Sequence, residues 1–316
     1  MDLRQMRYFL AVAEERHVGR AAERLHMAQP PLSRQIHALE EELGTRLFVR
    51  TPKGVELTEA GDALLAEVPN LLLLAQRAAE RTRLAGQGLV GRLDVGLFGS
   101  GVLDVIPRIL AQFHAARPQV KIALHNLTKY EQLQALRERR ITVGFNRLVP
   151  DEPGIVVRTV LREPLVVALP DTHALASRST LTIADLEDQP MIVYPNVPMR
   201  GLAQEVADAF RIEGARLVVE QEVEDVLTAV ALVATGFGLA VTTLSATNLR
   251  LPGVAFRPLR SAHLKDLELS CLWRDGDASP ILAAFLDVLR AFEHDDRAVP
   301  SPARQVGKAA RRRRPA

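Results

Sequence analysis

The sequence predicts a chain of two parts: a mostly α N-terminal module with a linker helix, then an α/β domain of two lobes. Three observations predict it. Apolar residues of the first sixty positions recur at helical spacing and end in a strand–turn–strand. A leucine-rich helix follows. From Gly91 onward, short apolar strands alternate with helices.

In the first helix Leu3, Met6, Phe9, Leu10 and Ala13 share one face. A turn at Arg16–Gly19 leads to a second helix, roughly Gly19 to Leu25, whose Ala21 and Ala22 allow close approach. After a tight turn at His26–Ala28, the third helix opens with proline, which costs no hydrogen bond at the first helical position. Leu32, Ile36, Leu39 and Leu43 form a stripe expected to pack inward. Ser33, Arg34, Gln35 and His37 lie off it, and Glu40, Glu41 and Glu42 are expected to point away from any nucleic acid. Gly44 closes the helix. Leu47–Arg50 and Val55–Leu57 then flank a turn at Thr51–Gly54. This is the pattern of a winged helix-turn-helix, whose last helix enters the major groove of DNA.

The candidate DNA-binding residues are therefore Gln29, Pro30, Pro31, Ser33, Arg34, Gln35, Arg50 and Lys53. Arg34 can fork onto guanine or hold a phosphate, and the glutamines can meet adenine edges or backbone oxygens. A plain three-helix bundle would give the same periodicity and leave Arg34 solvated. The proline-led helix followed by a wing is the more specific pattern.

Composition bounds the remaining classes. The chain has 316 residues, 47% hydrophobic, and no run near the roughly 18 apolar residues that span a bilayer. No membrane partner and no secretory core are expected, so the expected compartment is the cytoplasm. A single cysteine, Cys271, forms no intramolecular disulfide. No metal site and no cofactor are implied. The net charge is +2, yet residues 304–316 alone carry six cations and no acid. The rest of the chain is therefore net negative. The tail, 298–316, reads as disordered and basic, either simply solvated or adding salt-sensitive attraction to DNA.

After Thr58, a plausible N-cap, one helix is expected to run to about Leu84, bent at Pro69. Its apolar face is Leu64, Leu65, Val68, Leu71, Leu72 and Ala75, and Leu71–Leu74 is apolar all round. A partner helix from a second subunit explains this; packing on the chain's own module is the alternative. Gly86–Gly91 follows as a joint.

The α/β part reads as strands at 93–97, 120–124, 141–145, 165–169, 191–194 and 267–273, with helices between them and a last helix over 281–292. The chain crosses between lobes near 161–164 and 265–268, as in a hinged binding protein. Ligands in such folds sit beyond strand ends and at helix N-termini. The candidates are the Gly99-Ser100-Gly101 loop, Thr128 as cap or donor, Phe145 and Arg147 at a strand end, and the segment through Pro198, Arg200 and Leu202. Arg147 could instead pair with Asp151 or Glu152. Arg200 could be solvated.

Phe9–Glu14, Ala21–His26, Gln29–Ile36, Leu43-Gly44, Leu47-Phe48 and Leu57–Gly61 resemble the LysR-type transcriptional regulators. The second part is similar to the muconate- and chloromuconate-responsive activators of aromatic catabolism within that family, through Thr128-Lys129, Val143–Phe145, Arg147, Tyr194-Pro195 and Val223–Asp225. The resemblance implies a periplasmic-binding-protein-like effector domain and a small organic acid effector. It further implies a homodimer or homotetramer on double-stranded DNA, with RNA polymerase as a partner. The boundaries expected are 1–58 for DNA binding, 59–90 for the linker helix and hinge, and 91–297 for the effector domain. Lobe I comprises 91–162 and 267–297, lobe II 163–266. Where relatives carry serine, proline and phenylalanine around the diacid, Gly99, Arg200 and Leu202 depart, with Ser100 as a substitute beside Gly99, which implies a related but different carboxylate; a regulator of the same family sensing an unrelated small metabolite is an alternative. A ligand-binding protein that does not bind DNA is the further alternative. An enzyme is not expected: Ser100 lacks a Gly-x-Ser-x-Gly elbow, and His114, His125 and His173 lack metal spacing.

Overall fold

The N-terminal unit of the computed structural model, Met1–Leu84, is built on three helices and a wing. The structure describes residues 1–194 and 200–298, with side chains to Phe292. Helix α1 (Leu3–Glu15) starts at Asp2, whose carboxylate accepts from the amides of Arg4 and Gln5. Helix α2 (Val18–Arg24) is capped by His17, its Nδ1 accepting from the Gly19 and Arg20 amides. Helix α3 (Gln29–Leu43) carries prolines in its first turn and ends at Gly44 in the left-handed conformation. Met6, Phe9, Val12, Ala21, Leu32 and Leu39 fill the core between them. Leu3 and Leu43, expected on the inward stripes, are instead exposed. Each is the terminal residue of its helix, beyond the reach of the neighbouring helix.

The wing pairs β1 (Phe48–Thr51) with β2 (Gly54–Leu57) across a two-residue turn at Pro52-Lys53. Gly54 has φ of +142°, and a Cβ there would lie 2.2 Å from the Arg16 carbonyl oxygen. Only glycine lets the wing approach the α1–α2 turn, where the Val55 amide donates to that oxygen at 3.0 Å.

Helix α4 (Glu59–Gly86) continues uninterrupted through Pro69. The Thr58 hydroxyl accepts from the Gly61 amide and donates to the Arg46 carbonyl. The face formed by Leu64, Leu65, Val68 and Leu72 packs on the chain's own winged core, and Val68 is fully buried there. Within one chain this face therefore already has a partner, and Leu64, Leu65 and Leu72 stay only partly covered by it. Positions 64, 68 and 72 are successive turns of one face, and that face meets the module. Leu71, Leu73 and Leu74 remain exposed at 39%, 44% and 65%, and Ala75 is half-buried.

The second unit, from Ala85 onward, runs β3 (Gly91–Leu97), α5 (Val105–Ala116), β4 (Val120–Asn126), α6 (Lys129–Arg137), β5 (Val143–Arg147) and β6 (Ile155–Glu163). Across Pro164 it enters a second lobe. There lie β7 (Leu165–Pro170), β8 (Leu181–Thr182), β9 (Pro190–Val193), α7 (Leu202–Glu213), β10 (Val218–Glu222), α8 (Val226–Ala234), β11 (Ala240–Thr243) and β12 (Val254–Arg260). The chain returns as β13 (Leu267–Arg274) and α9 (Pro280–Ala298).

The first lobe is a five-stranded sheet ordered β4-β3-β5-β13-β6, with β13 antiparallel to both neighbours. The second holds β11-β7-β12-β8, and the parallel pair β9–β10 joins it through a bridge between Met191 and Leu239. Phe285 of α9 packs edge-on against Phe113 and Phe145 in the first core. Phe210, Tyr194 and the valines of α8 anchor the second.

Five strands escaped the sequence reading, the shortest being the two-residue β8. β6 is a half-exposed sheet edge, β10 is an exposed edge rich in glutamate, β11 has four residues, and β12 contains Pro258. Each lacks the apolar run or the proline-free alternation that marks a strand.

Candidate functional site

The first candidate surface lies on the winged module. Gln29, Pro30, Arg34 and Gln35 are exposed on the N-terminal half of α3, and Pro31 and Ser33 are half-buried beside them. Arg50 projects from β1 and Lys53 from the turn, both exposed. Arg34, Arg50 and Lys53 make no hydrogen bond or ion pair among the described residues. The sequence-predicted residues thus occupy two elements of one module.

Glu40 joins these two elements, a role the sequence reading missed. Its carboxylate is buried and accepts from the amides of Leu47 at 2.8 Å and Phe48 at 3.2 Å. Those amides open the wing. Its other oxygen lies 3.4 Å from His37 Nδ1. Glu41 and Glu42 are exposed, whereas α3 turns Glu40 toward the wing.

The second candidate site is a cleft between the two lobes of the C-terminal unit, about 610 Å³ including the space open to solvent. Among the described residues, Phe98, Gly99, Ser100, Lys129, Asn146, Arg147 and Leu148 line it from the first lobe. Tyr194, Gly201, Leu202, Glu224, Asp225 and Thr243 line it from the second.

Ser100 is buried, with its Oγ 2.7 Å from Thr243 Oγ1. Thr243 in turn meets Ser245, whose hydroxyl donates to the Ser100 carbonyl at 3.2 Å. A hydroxyl latch therefore ties the lobes at this edge. Lys129 makes a second tie: its Nζ donates to the carbonyls of Leu148 at 2.7 Å and Arg200 at 2.6 Å. Burial pushes the Lys129 ammonium down to about 8, against the pull of Glu205. Tyr194 donates to Thr242, and burial raises its hydroxyl well above the usual tyrosine range.

Helix α6 is held to β5 by Gln132, whose Nε2 donates to the carbonyls of Leu127 and Phe145. A Cβ at Gly144 would lie 2.5 Å from Gln132 Oε1, so the close contact requires glycine. This fixes Lys129 at the start of α6 relative to Asn146 on β5.

Several sequence-predicted effector residues lie elsewhere. Thr128 caps α6 in a reciprocal box with Glu131 and is absent from the cleft wall. Phe145 is fully buried in the first core, edge-on against Phe285, and is absent from the cleft wall. Gly101 packs toward Ile106 and Leu269. Arg200 is an exposed side chain paired with Glu205 and Asp208. Arg147 does line the cleft, yet its charge is taken by Glu163, and it also donates to the Leu267 carbonyl at 3.2 Å. Asp151 is not its partner, and Glu152 pairs with Arg137. Gly99, Ser100 and Leu202 lie in the wall as expected. Pro198 and the basic tail from 299 lie outside the described residues.

Lys129 and Asn146 carried signals that could have placed them. A lysine in the first turn of a helix opposes the helix dipole. An asparagine inside the apolar strand Val143–Arg147 calls for a reason. Thr243 carries no such mark.

Among the described residues, no helix is long and apolar enough to cross a membrane. Residues 3–62 match the model of bacterial regulatory helix-turn-helix proteins of the lysR family, and residues 86–293 match that of the LysR substrate binding domain. The transcriptional regulator TfdS of Cupriavidus pinatubonensis is 38% identical over 290 residues, 92% of this chain and 98% of that protein. Full-length CbnR, solved in complex with its target DNA, superimposes with a TM-score of 0.83 at 34% identity. The match covers 93% of this chain and all (100%) of CbnR. The effector binding domain of BenM, solved with its effector benzoate, gives a TM-score of 0.60 at 25% identity. It covers 67% of this chain and 96% of the BenM domain.

Proposed function

The chain belongs to the LysR family of bacterial regulatory helix-turn-helix proteins, and from that premise we propose how it senses and signals. It is a transcriptional regulator and not an enzyme, as its relatives are. In our reading residues 1–58 bind operator DNA. Gln29, Pro30, Pro31, Ser33, Arg34 and Gln35 enter the major groove, and Arg50 and Lys53 hold phosphates beside it. Residues 59–90 connect this module to the effector domain, 91–297. The exposed Leu71 and Leu74, with Ala75, meet the same helix of a second subunit, and dimers pair into a tetramer. The complex works in the cytoplasm, on promoter DNA with RNA polymerase.

The effector is a small carboxylate, muconate-like or aromatic, bound between the lobes near Gly99, Ser100, Lys129, Asn146, Leu202 and Thr243. One observation carries this reading: the Ser100–Thr243 and Lys129–Arg200 hydrogen bonds cross the cleft and can be exchanged for an anion. An acid that favours one lobe arrangement shifts the population toward it, and with it the bend imposed on DNA. Two solved relatives support the scheme, CbnR on its target DNA and BenM with benzoate.

The test has two parts. Thermal shifts of the full chain with cis,cis-muconate and benzoate should rise with ligand concentration. Footprints on the DNA upstream of the neighbouring operon should change in extent when the stabilising acid is added. Identical footprints, with no stabilisation by either acid, would sink the proposal.

A further inference from the structure

Two residues of the cleft wall carry a buried nitrogen with no partner among the described residues, Arg147 Nε and Asn146 Nδ2; the guanidinium of Arg147 is already held by Glu163 and Leu267, whereas the amide of Asn146 is half used. Asn146 is 5% exposed, at the end of β5. Its Oδ1 accepts from the Arg147 amide at 2.9 Å. A backbone N–H needs an acceptor there, so chemistry fixes the orientation of the group: oxygen toward the chain, nitrogen the other way. Nδ2 is buried and has no hydrogen-bond partner among the described residues. A residue that lines the cleft thus keeps two N–H donors with nothing to receive them. Leaving a buried donor unmatched is costly, and in native structures it asks for a reason.

We infer that Asn146 is the residue that selects the effector by its acceptor: the ligand must place a carboxylate or other oxygen acceptor against Nδ2. The assignment rests on the carboxylate reading above and sharpens it. A methyl group, a ring edge or a halogen set at this point would leave both donors stranded, so such groups must lie elsewhere in the bound ligand. Discrimination of this kind is steep because the wrong ligand leaves the protein's own polar group unpaired. Lys129, in the same wall, spends two of its three N–H donors on Leu148 and Arg200. It supplies charge, and Asn146 supplies direction.

The experiment is calorimetric titration of the full chain with benzoate and with cis,cis-muconate, for wild type, Asn146→Ala and Asn146→Asp. Asn146→Asp keeps the size and the acceptor for the Arg147 amide but turns the donors into a second acceptor. We expect Asn146→Ala to weaken binding by about tenfold or more, the effect of losing a hydrogen bond to a charged group. Asn146→Asp should weaken it further, with the unliganded melting temperature of at least one variant close to wild type. Tight binding by wild type that both variants retain within about twofold would overturn the assignment and leave the carboxylate reading standing. No binding of either acid by wild type would overturn the carboxylate reading, and the assignment with it.

Discussion

The two units treat their cations in opposite ways. In the winged module Arg34, Arg50 and Lys53 stand exposed and unpaired among the described residues. In the C-terminal unit Lys129 and Arg147 are drawn into the cleft wall, where Leu148 and Arg200 accept from the first and Glu163 and Leu267 from the second, although Arg147 Nε finds no acceptor among the described residues. A DNA phosphate approaching as proposed would meet side chains that give up only water. A small anion entering the cleft competes with contacts already made. The first surface is ready before its ligand arrives; the second must rearrange, and rearrangement is what allows it to signal.

Breaking the cleft arrangement should have the largest effect. Glu163→Ala leaves the Arg147 guanidinium buried without its partner and should cost about 3–5 kcal/mol. Chemical denaturation followed by the single tryptophan, Trp273 in β13, reads this unit directly. A loss below about 1 kcal/mol would mean that Arg147 reaches solvent. Next comes Arg34→Ala, expected to weaken operator binding by about 1–3 kcal/mol with the melting temperature unchanged. Fluorescence anisotropy and a melt together decide it, since a fall in both would show Arg34 to be structural.

The third prediction concerns pH. Lys129 has its folded value lowered to about 8 from 10.5. Below pH 8 both folded and unfolded chains hold the proton. Between pH 8 and 10.5 the unfolded chain holds a proton that the folded one has released. Stability of the C-terminal unit should therefore rise with pH in that window, by up to about 1.4 kcal/mol per unit. Lys129→Met should flatten the profile; a wild-type profile that falls from pH 8 to 9.5 would refute the claim. Smallest is Lys53→Ala. It should lower DNA affinity by less than about 1 kcal/mol and reduce the slope of log affinity against log salt by about one. An unchanged slope would remove Lys53 from the interface.

The same contrast explains what the sequence made legible. The winged module is local: its helices, caps and turn lie within sixty residues, and its exposed side chains are the ones the core stripe leaves over. That Gln29, Arg34 and Lys53 are exposed could be read by subtraction. The cleft is assembled from distant segments. Ser100 meets Thr243, 143 positions away, and Lys129 reaches Arg200, 71 positions away. Periodicity carries no information about such pairs. Thr128 and Phe145 were natural candidates at a helix start and a strand end, yet capping claimed the first and core packing the second. Lys129 and Asn146, their immediate neighbours, took the places in the cleft. Along the linker helix, the repeat of four that marked an apolar face did not say which body the face meets.

The carboxylate of Glu40 has one more consequence. It belongs to the helix proposed to read the groove and holds the first amides of the wing. The helix and the wing are therefore set at a constant gauge, like the jaws of a fixed wrench, for the contacts proposed with DNA. Such a tool cannot loosen its grip by opening. Any signal from the effector domain must move the module as a whole, by placing and turning it on the duplex. A protein holding two such modules can be tuned only through the angle and separation between them.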